Sequence, residues 1–115
     1  MSQTLGSTKR KFVFSCEGII STHLAHLFAE SFIELAGMTS ARKGRIDHYP
    51  YKGGGGEGYT GFFPLMESFL ILDVYIDLNH TEILLSTCKP DRFPLEAIIN
   101  FLNKKVGSTR LIGAL

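Results

Sequence analysis

Two consecutive segments of alternating apolar and polar residues constrain the fold of this chain more than any other feature. After Phe69, every second residue is aliphatic, namely Leu70, Leu72, Val74, Ile76 and Leu78. A period of two is typical of a β-strand with one buried face. Asn79 and His80 form a turn signal, and residues 81–88 read as the returning strand. The two segments therefore predict an antiparallel hairpin.

The remaining segments predict helices and further strands around this hairpin. Residues 11–17 alternate like a strand, with Cys16 in the core, and residues 45–51 read as an edge strand. Pro64 limits the strand at 61–66 to an edge or a bulge. A helix is expected over 22–36, with a buried stripe formed by Leu24, Leu27, Phe28, Phe32 and Leu35.

The C-terminal part of the chain predicts a second amphipathic helix. Pro94 fits its first turn, Gly107 ends it, and the tail from Ser108 adds a last strand or packs on a partner. The order of elements predicts an α+β fold, a two-layer sandwich of an antiparallel sheet with two helices on one face.

Length and composition indicate one ordinary globular domain. The chain has 115 residues, which favours a flexible N-terminal arm at 1–10 and a single domain at 11–115. A net charge of +1 gives no electrostatic argument for binding nucleic acid or an anionic membrane. No apolar run reaches 18 residues, so no membrane-spanning helix is expected. Cys16 and Cys88 lack CxxC spacing, which argues against zinc and suits free thiols in the cytoplasm.

Two other patterns are candidate ligand sites. His23, His26, Glu30 and Glu34 lie along one side of the first helix. They could ligate a metal, but no HExxH pattern is present and a solvated face is the favoured interpretation. The four glycines at 53–56 precede a strand rather than a helix, so a mobile loop closing over a ligand is favoured over a phosphate-binding loop.

The segment GYTGFFPLMES carries the most specific chemical signal. It places Thr60 eight residues before Ser68, and Cys88 follows twenty residues after Ser68. Serine and cysteine both perform covalent or proton-transfer chemistry. In these positions the chain resembles the prokaryotic S-adenosylmethionine decarboxylase family, whose pattern is Gly-x-Ser-Gly, then Glu-Ser-His, then a later Cys. The resemblance covers residues 11–106.

The resemblance implies that Ser68 is converted to a pyruvoyl group when the chain cleaves itself after Glu67. Thr60 then corresponds to the hydrogen-bonding serine of the family, and Cys88 to its proton donor. The family's two histidines are replaced by Phe69 and Asp73, and Asp73 is the candidate substitute base.

Three aromatic residues near this segment are candidate ligand contacts. Tyr59, Phe62 and Phe69 can stack on an adenine, although aromatic residues beside a strand are more often part of the core.

Three functions are consistent with these features. The first is pyruvoyl-dependent decarboxylation of S-adenosylmethionine or a related small amine for polyamine synthesis, a carbon–carbon lyase reaction that needs no metal. The second is an unprocessed relative that cleaves S-adenosylmethionine as a lyase without a cofactor. The third is a non-catalytic ligand-binding or regulatory paralogue. In each case a homo-oligomer, a dimer or larger, is expected, because a small two-layer domain leaves one sheet face open.

Overall fold

The computed structural model describes residues 10–51 and 56–114, which form one antiparallel sheet and two α-helices. The strands are β1 (Arg10–Glu17), β2 (Arg45–Tyr51), β3 (Gly56–Leu65), β4 (Ser68–Tyr75), β5 (His80–Thr87) and β6 (Ser108–Ala114). The helices are α1 (Ala25–Leu35) and α2 (Leu95–Lys105). Strand order across the sheet is β2-β3-β4-β5-β1-β6. The predicted α+β sandwich is confirmed.

The β4–β5 hairpin forms as its alternation predicts. Leu70, Leu72 and Val74 are fully buried, and Leu72 lies opposite the equally buried Ile83. The aliphatic face ends earlier than predicted, because Ile76–Leu78 is a 3₁₀ turn closed by Asn79 in a left-handed conformation. Leu78 therefore lies outside the strand and is exposed.

The buried face of α1 differs from the predicted stripe. The buried residues are Ala25, Phe28, Ala29, Phe32 and Ile33. The prediction was wrong for Leu24, Leu27 and Leu35, which are exposed. Alanine has almost no side chain, so Ala25 and Ala29 let the helix approach the sheet closely, and the bulkier leucines lie outside the contact.

The position of Pro64 also differs from the prediction. The edge strand is β2, as expected, but β3 lies inside the sheet between β2 and β4. Pro64 is tolerated because β2 begins at Arg45, which pairs with Phe62 and so does not extend alongside Pro64. Its carbonyl accepts a hydrogen bond from the Ala41 N–H at 2.9 Å.

The C-terminal tail completes the sheet at the edge formed by β6, which pairs with β1. Two glycines allow the segment after β1 and the segment between α2 and β6 to approach each other closely. A Cβ on Gly107 would lie 1.8 Å from the Glu17 carbonyl oxygen, and a Cβ on Gly18 would lie 2.1 Å from that of Val106. Both glycines have positive φ, +157° and +151°.

The sheet has a core face under the helices and an outer face opposite them. One row of cross-strand neighbours on the outer face is apolar: Phe62, Ile71, Leu84 and Val13. The next row is polar: Thr60, Asp73, Glu82, Ser15 and Arg110. Most of the predicted arm at 1–10 and of the glycine run at 53–56 lies outside the described residues.

Candidate functional site

The turn between β3 and β4 is the strained point of the hairpin. Leu65 pairs with Ser68, so Met66 and Glu67 alone form the turn. Glu67 has φ +64°, a left-handed conformation that usually goes to glycine or asparagine at this turn position. A side chain in that region costs about 1–2 kcal/mol. The backbone is therefore strained at the residue that precedes Ser68.

Ser68 begins β4 with a buried hydroxyl. Its Oγ is shielded from solvent and has no hydrogen-bond partner among residues 10–51 and 56–114. A buried unpaired hydroxyl costs about 1–3 kcal/mol. Such an atom is uncommon in a native structure, and a catalytic role is one of its explanations.

Cys88 follows β5 and meets the turn from the neighbouring strand. Its thiol donates a hydrogen bond to Oε1 of Glu67 at 3.6 Å. Three of the five predicted catalytic residues, Glu67, Ser68 and Cys88, are thus brought together at one end of the sheet. The twenty-residue spacing places Ser68 and Cys88 at the same end of the sheet because β4 and β5 are antiparallel and of equal length.

A cavity of about 470 Å³ opens beside this turn. Glu67 and Cys88 line it together with Lys89 and Arg92, which belong to the segment around the 3₁₀ turn Pro90–Arg92. Phe93 fixes that segment by stacking on Phe12 with ring centroids 4.5 Å apart. The cavity therefore presents a carboxylate, a thiol and two cations.

Lys89 and Arg92 were missed by the sequence reasoning. The signal was present, since two basic residues follow Cys88 within four positions. Neither forms an ion pair with an acidic side chain in the described part of the chain, where the ion pairs are those of Arg45 with Asp47 and His80 with Glu82. Both cations are thus free to meet a ligand.

Thr60 and Asp73 lie elsewhere. The Thr60 hydroxyl donates to Oδ1 of Asp73 at 2.8 Å, and both residues belong to the polar row of the outer face. Asp73 is five residues from Ser68 along a regular strand, a distance of about 16 Å. The β3–β4 and β4–β5 registers contain no bulge, so Asp73 keeps the orientation that alternation gives it, on the face opposite Ser68.

The three candidate aromatic contacts divide between the two faces. Tyr59 is completely buried, and its hydroxyl donates to the Ile20 carbonyl at 2.6 Å. Burial raises the pKa of this phenol. Phe62 and Phe69 lie on the outer face with ring centroids 6.3 Å apart and an interplanar angle of 25°. That pair is available to a ligand or a partner, whereas Tyr59 is occupied in the core.

Replacing Tyr59 with phenylalanine is expected to lower the free energy of unfolding by about 1–2 kcal/mol. The Tyr59→Phe change leaves the buried Ile20 carbonyl without its donor. Urea unfolding at matched protein concentration measures the loss. A change below about 0.3 kcal/mol would contradict a structural role for this hydroxyl.

The histidine and glutamate row of α1 does not meet at one point. His26 contacts Phe63 edge-on at 5.6 Å, and His26 and Glu30 line a different cavity from the one beside Cys88. Within the described ranges no group of three or more histidine, cysteine, aspartate or glutamate side chains is arranged to hold a metal ion.

No protein-family model matches the chain, and a search of curated proteins found no match. Among the helices of the described residues, none has the length and apolar character needed to cross a membrane.

Proposed function

We propose that the protein is an S-adenosylmethionine decarboxylase-like enzyme of the cytoplasm that cleaves itself between Glu67 and Ser68. One observation carries the proposal. A left-handed Glu67 directly precedes a buried, unpaired Ser68 hydroxyl, and the Cys88 thiol is hydrogen-bonded to the Glu67 carboxylate. This combination of a strained peptide, a serine hydroxyl and a thiol supports the roles that the family resemblance implies.

Cleavage follows from ordinary serine chemistry. The Ser68 Oγ attacks the Glu67 carbonyl carbon, the peptide C–N bond breaks, and an ester replaces the amide. Loss of the Ser68 Cα proton then expels the Glu67 carboxylate. Water replaces the remaining nitrogen, which leaves as ammonia, and a pyruvoyl group ends the second fragment. The step is assisted because breaking the chain after Glu67 releases its left-handed backbone strain.

Ser68 is not among the residues that line the cavity, but Glu67 beside it and Cys88 are, and both suit a pyruvoyl group. Its ketone supplies an electron sink for the loss of a substrate carboxylate. Glu67 can receive the substrate ammonium, and Cys88 holds a proton on its Sγ beside the cavity. Ala36, Met38 and Phe93 give the cavity an apolar part of its lining.

The outer face of the sheet is a candidate surface for pairing with a second copy of the chain. Thr60 and Asp73 lie on the outer face, about 16 Å along the strand from Ser68. The adjacent apolar row, Phe62, Ile71, Leu84 and Val13, gives that face a surface to pair through, and Phe62 is 41% exposed. We therefore propose a homo-oligomer in which the outer faces of two copies meet.

A charge in the middle of the apolar row is expected to disrupt this assembly. Leu84→Asp places a carboxylate beside Asp73 and Glu82 on the outer face, so the variant should be monomeric at concentrations where the unaltered protein is a dimer or larger. Sedimentation velocity measures the mass. Leu27→Asp is the matched control, because Leu27 is an exposed leucine on α1, 61% accessible. Equal effects of the two changes, or a monomeric parent protein, would overturn the outer-face interface.

A second candidate function is supported by Lys89 and Arg92. Cations paired with a carboxylate stabilise it and oppose its loss as carbon dioxide. This favours a lyase that cleaves the sulfonium of S-adenosylmethionine and keeps the carboxylate. The bond from sulfur to the amino-acid carbon breaks, its electron pair neutralises sulfur, and the amino-acid fragment loses a proton or bonds its own carboxylate oxygen to that carbon.

Intact mass and product analysis distinguish these functions. The decarboxylase predicts two fragments split after Glu67 and carbon dioxide from carboxyl-labelled S-adenosylmethionine. The lyase predicts one uncut chain near 12.8 kDa, an unlabelled neutral thioether, and retention of the carboxyl label in the amino-acid fragment. An uncut chain that binds S-adenosylmethionine without turnover identifies the non-catalytic paralogue and overturns both enzymes.

A further inference from the structure

The loop between α1 and β2 is held rigidly against the end of β3. The Ala41 N–H donates to the Pro64 carbonyl at 2.9 Å, and the Met66 N–H donates to the Thr39 carbonyl at 2.9 Å. Ser40 forms an isolated bridge with Leu65. These bonds fix the backbone just before Arg42 and Lys43.

The fixed loop and α1 border a second, open cavity of about 480 Å³, separate from the one beside Cys88. Arg42, Lys43 and Ser40 line it from the loop, and His26 and Glu30 line it from the helix. Arg42 and Lys43 form no ion pair within residues 10–51 and 56–114, even though Glu30 borders the same cavity.

The floor of the cavity is built around Phe63. A Cβ on Gly44 would lie 2.1 Å from the Phe63 ring, so only glycine lets the loop close this tightly. His26 stands edge-on to the same ring, with an interplanar angle of 82°. The imidazole is therefore held in place at the wall of the cavity.

We propose that this cavity binds a phosphate monoester whose organic part carries hydroxyl groups, such as a nucleoside monophosphate. Arg42 offers a planar fork of donors, Lys43 a compact charge, and Ser40 a hydroxyl, a set that matches phosphate oxygens. Glu30 accepts a hydrogen bond from a ligand hydroxyl. Two permanent cations against one carboxylate favour a ligand with net negative charge, and the volume suits a small metabolite.

The site is independent of the proposed function, because none of Glu67, Ser68 and Cys88 lines it. Its test therefore uses binding alone. Adenosine monophosphate, inorganic phosphate and adenosine are titrated separately into the full-length protein, with calorimetry and amide chemical shifts as readouts.

Adenosine monophosphate is expected to bind at least tenfold tighter than adenosine and to shift the amides of Gly44 and Phe63. Arg42→Gln and Lys43→Gln should each weaken binding at least tenfold, whereas Lys104→Gln, an exposed lysine of α2, should leave it unchanged. Glu30→Gln should weaken the binding of adenosine monophosphate but not the binding of inorganic phosphate. Binding of adenosine as tight as that of its monophosphate, an equal loss in Lys104→Gln, or no binding at millimolar concentration would overturn the site.

Discussion

A Ser68→Ala variant is expected to remain one chain near 12.8 kDa, whereas the unaltered protein separates into two fragments under denaturing conditions. Alanine lacks the oxygen that attacks the Glu67 carbonyl, so neither the ester nor the elimination can occur. Denaturing mass spectrometry reads both outcomes directly. The second fragment of the unaltered protein should carry no free amine at its terminus, because a pyruvoyl group replaces it.

Ser86 provides the matched control for this experiment. Its hydroxyl is also buried without a hydrogen-bond partner in the described part of the chain, but no strained turn residue precedes it. Ser86→Ala should be cleaved like the unaltered protein. Its free energy of unfolding should be unchanged or slightly higher, since an unsatisfied buried oxygen has been removed. If the unaltered protein stays uncut after long incubation, the pyruvoyl hypothesis fails and the cofactor-free lyase becomes the leading function.

Gly107→Ala is expected to destabilise the fold by about 4 kcal/mol or more. The added Cβ would lie 1.8 Å from the Glu17 carbonyl oxygen, a backbone atom that cannot move without separating β1 from β6. The φ of +157° adds conformational cost. Urea unfolding in the Ser68→Ala background measures the effect on a single uncut chain.

Substitutions at two other glycines distinguish the effect of the steric clash from the cost of the backbone conformation. Gly37 has φ +74°, but an added Cβ would meet only open space there, so Gly37→Ala should cost only about 1 kcal/mol. A Cβ on Gly113 would make ordinary contacts at 3.7 Å with Val13, and Gly113→Ala should change stability by less than about 0.5 kcal/mol. A Gly107→Ala loss no larger than that of Gly37→Ala would contradict the close approach of the chains.

The short-range sequence pattern was sufficient to predict most of the sheet. It was insufficient to predict which face of α1 is buried. The alternation in β1 and β4 is a direct consequence of strand geometry, so it correctly identified Cys16, Leu70, Leu72 and Val74 as buried, although it extended the buried face too far, to Leu78. In α1, leucines and phenylalanines supply two overlapping apolar stripes. The stripe that contains Ala25 and Ala29 packs on the sheet. Which stripe is buried depends on how closely the helix and the sheet approach each other.

The candidate site was predicted in part. The family resemblance grouped Glu67, Ser68 and Cys88, and the structure brings them to one end of the sheet because Glu67 and Ser68 are adjacent in sequence and one hairpin joins them to Cys88. The grouping of Thr60 and Asp73 with Ser68 depended on the family resemblance. The strand register instead places that pair on the opposite face, about 16 Å along β4.

The sequence by itself determined the antiparallel hairpin, the α+β class and the presence of a serine, a cysteine and a glutamate at related positions, because these follow from residue type and period. Only the tertiary structure decided that Glu67 is left-handed, that the Ser68 hydroxyl is buried without a partner in the described residues, and that Lys89 and Arg92 face the same cavity as Cys88. Those properties depend on strand register and on how a turn and a loop from distant parts of the chain pack together. The periodicity of a short sequence segment does not predict either of these.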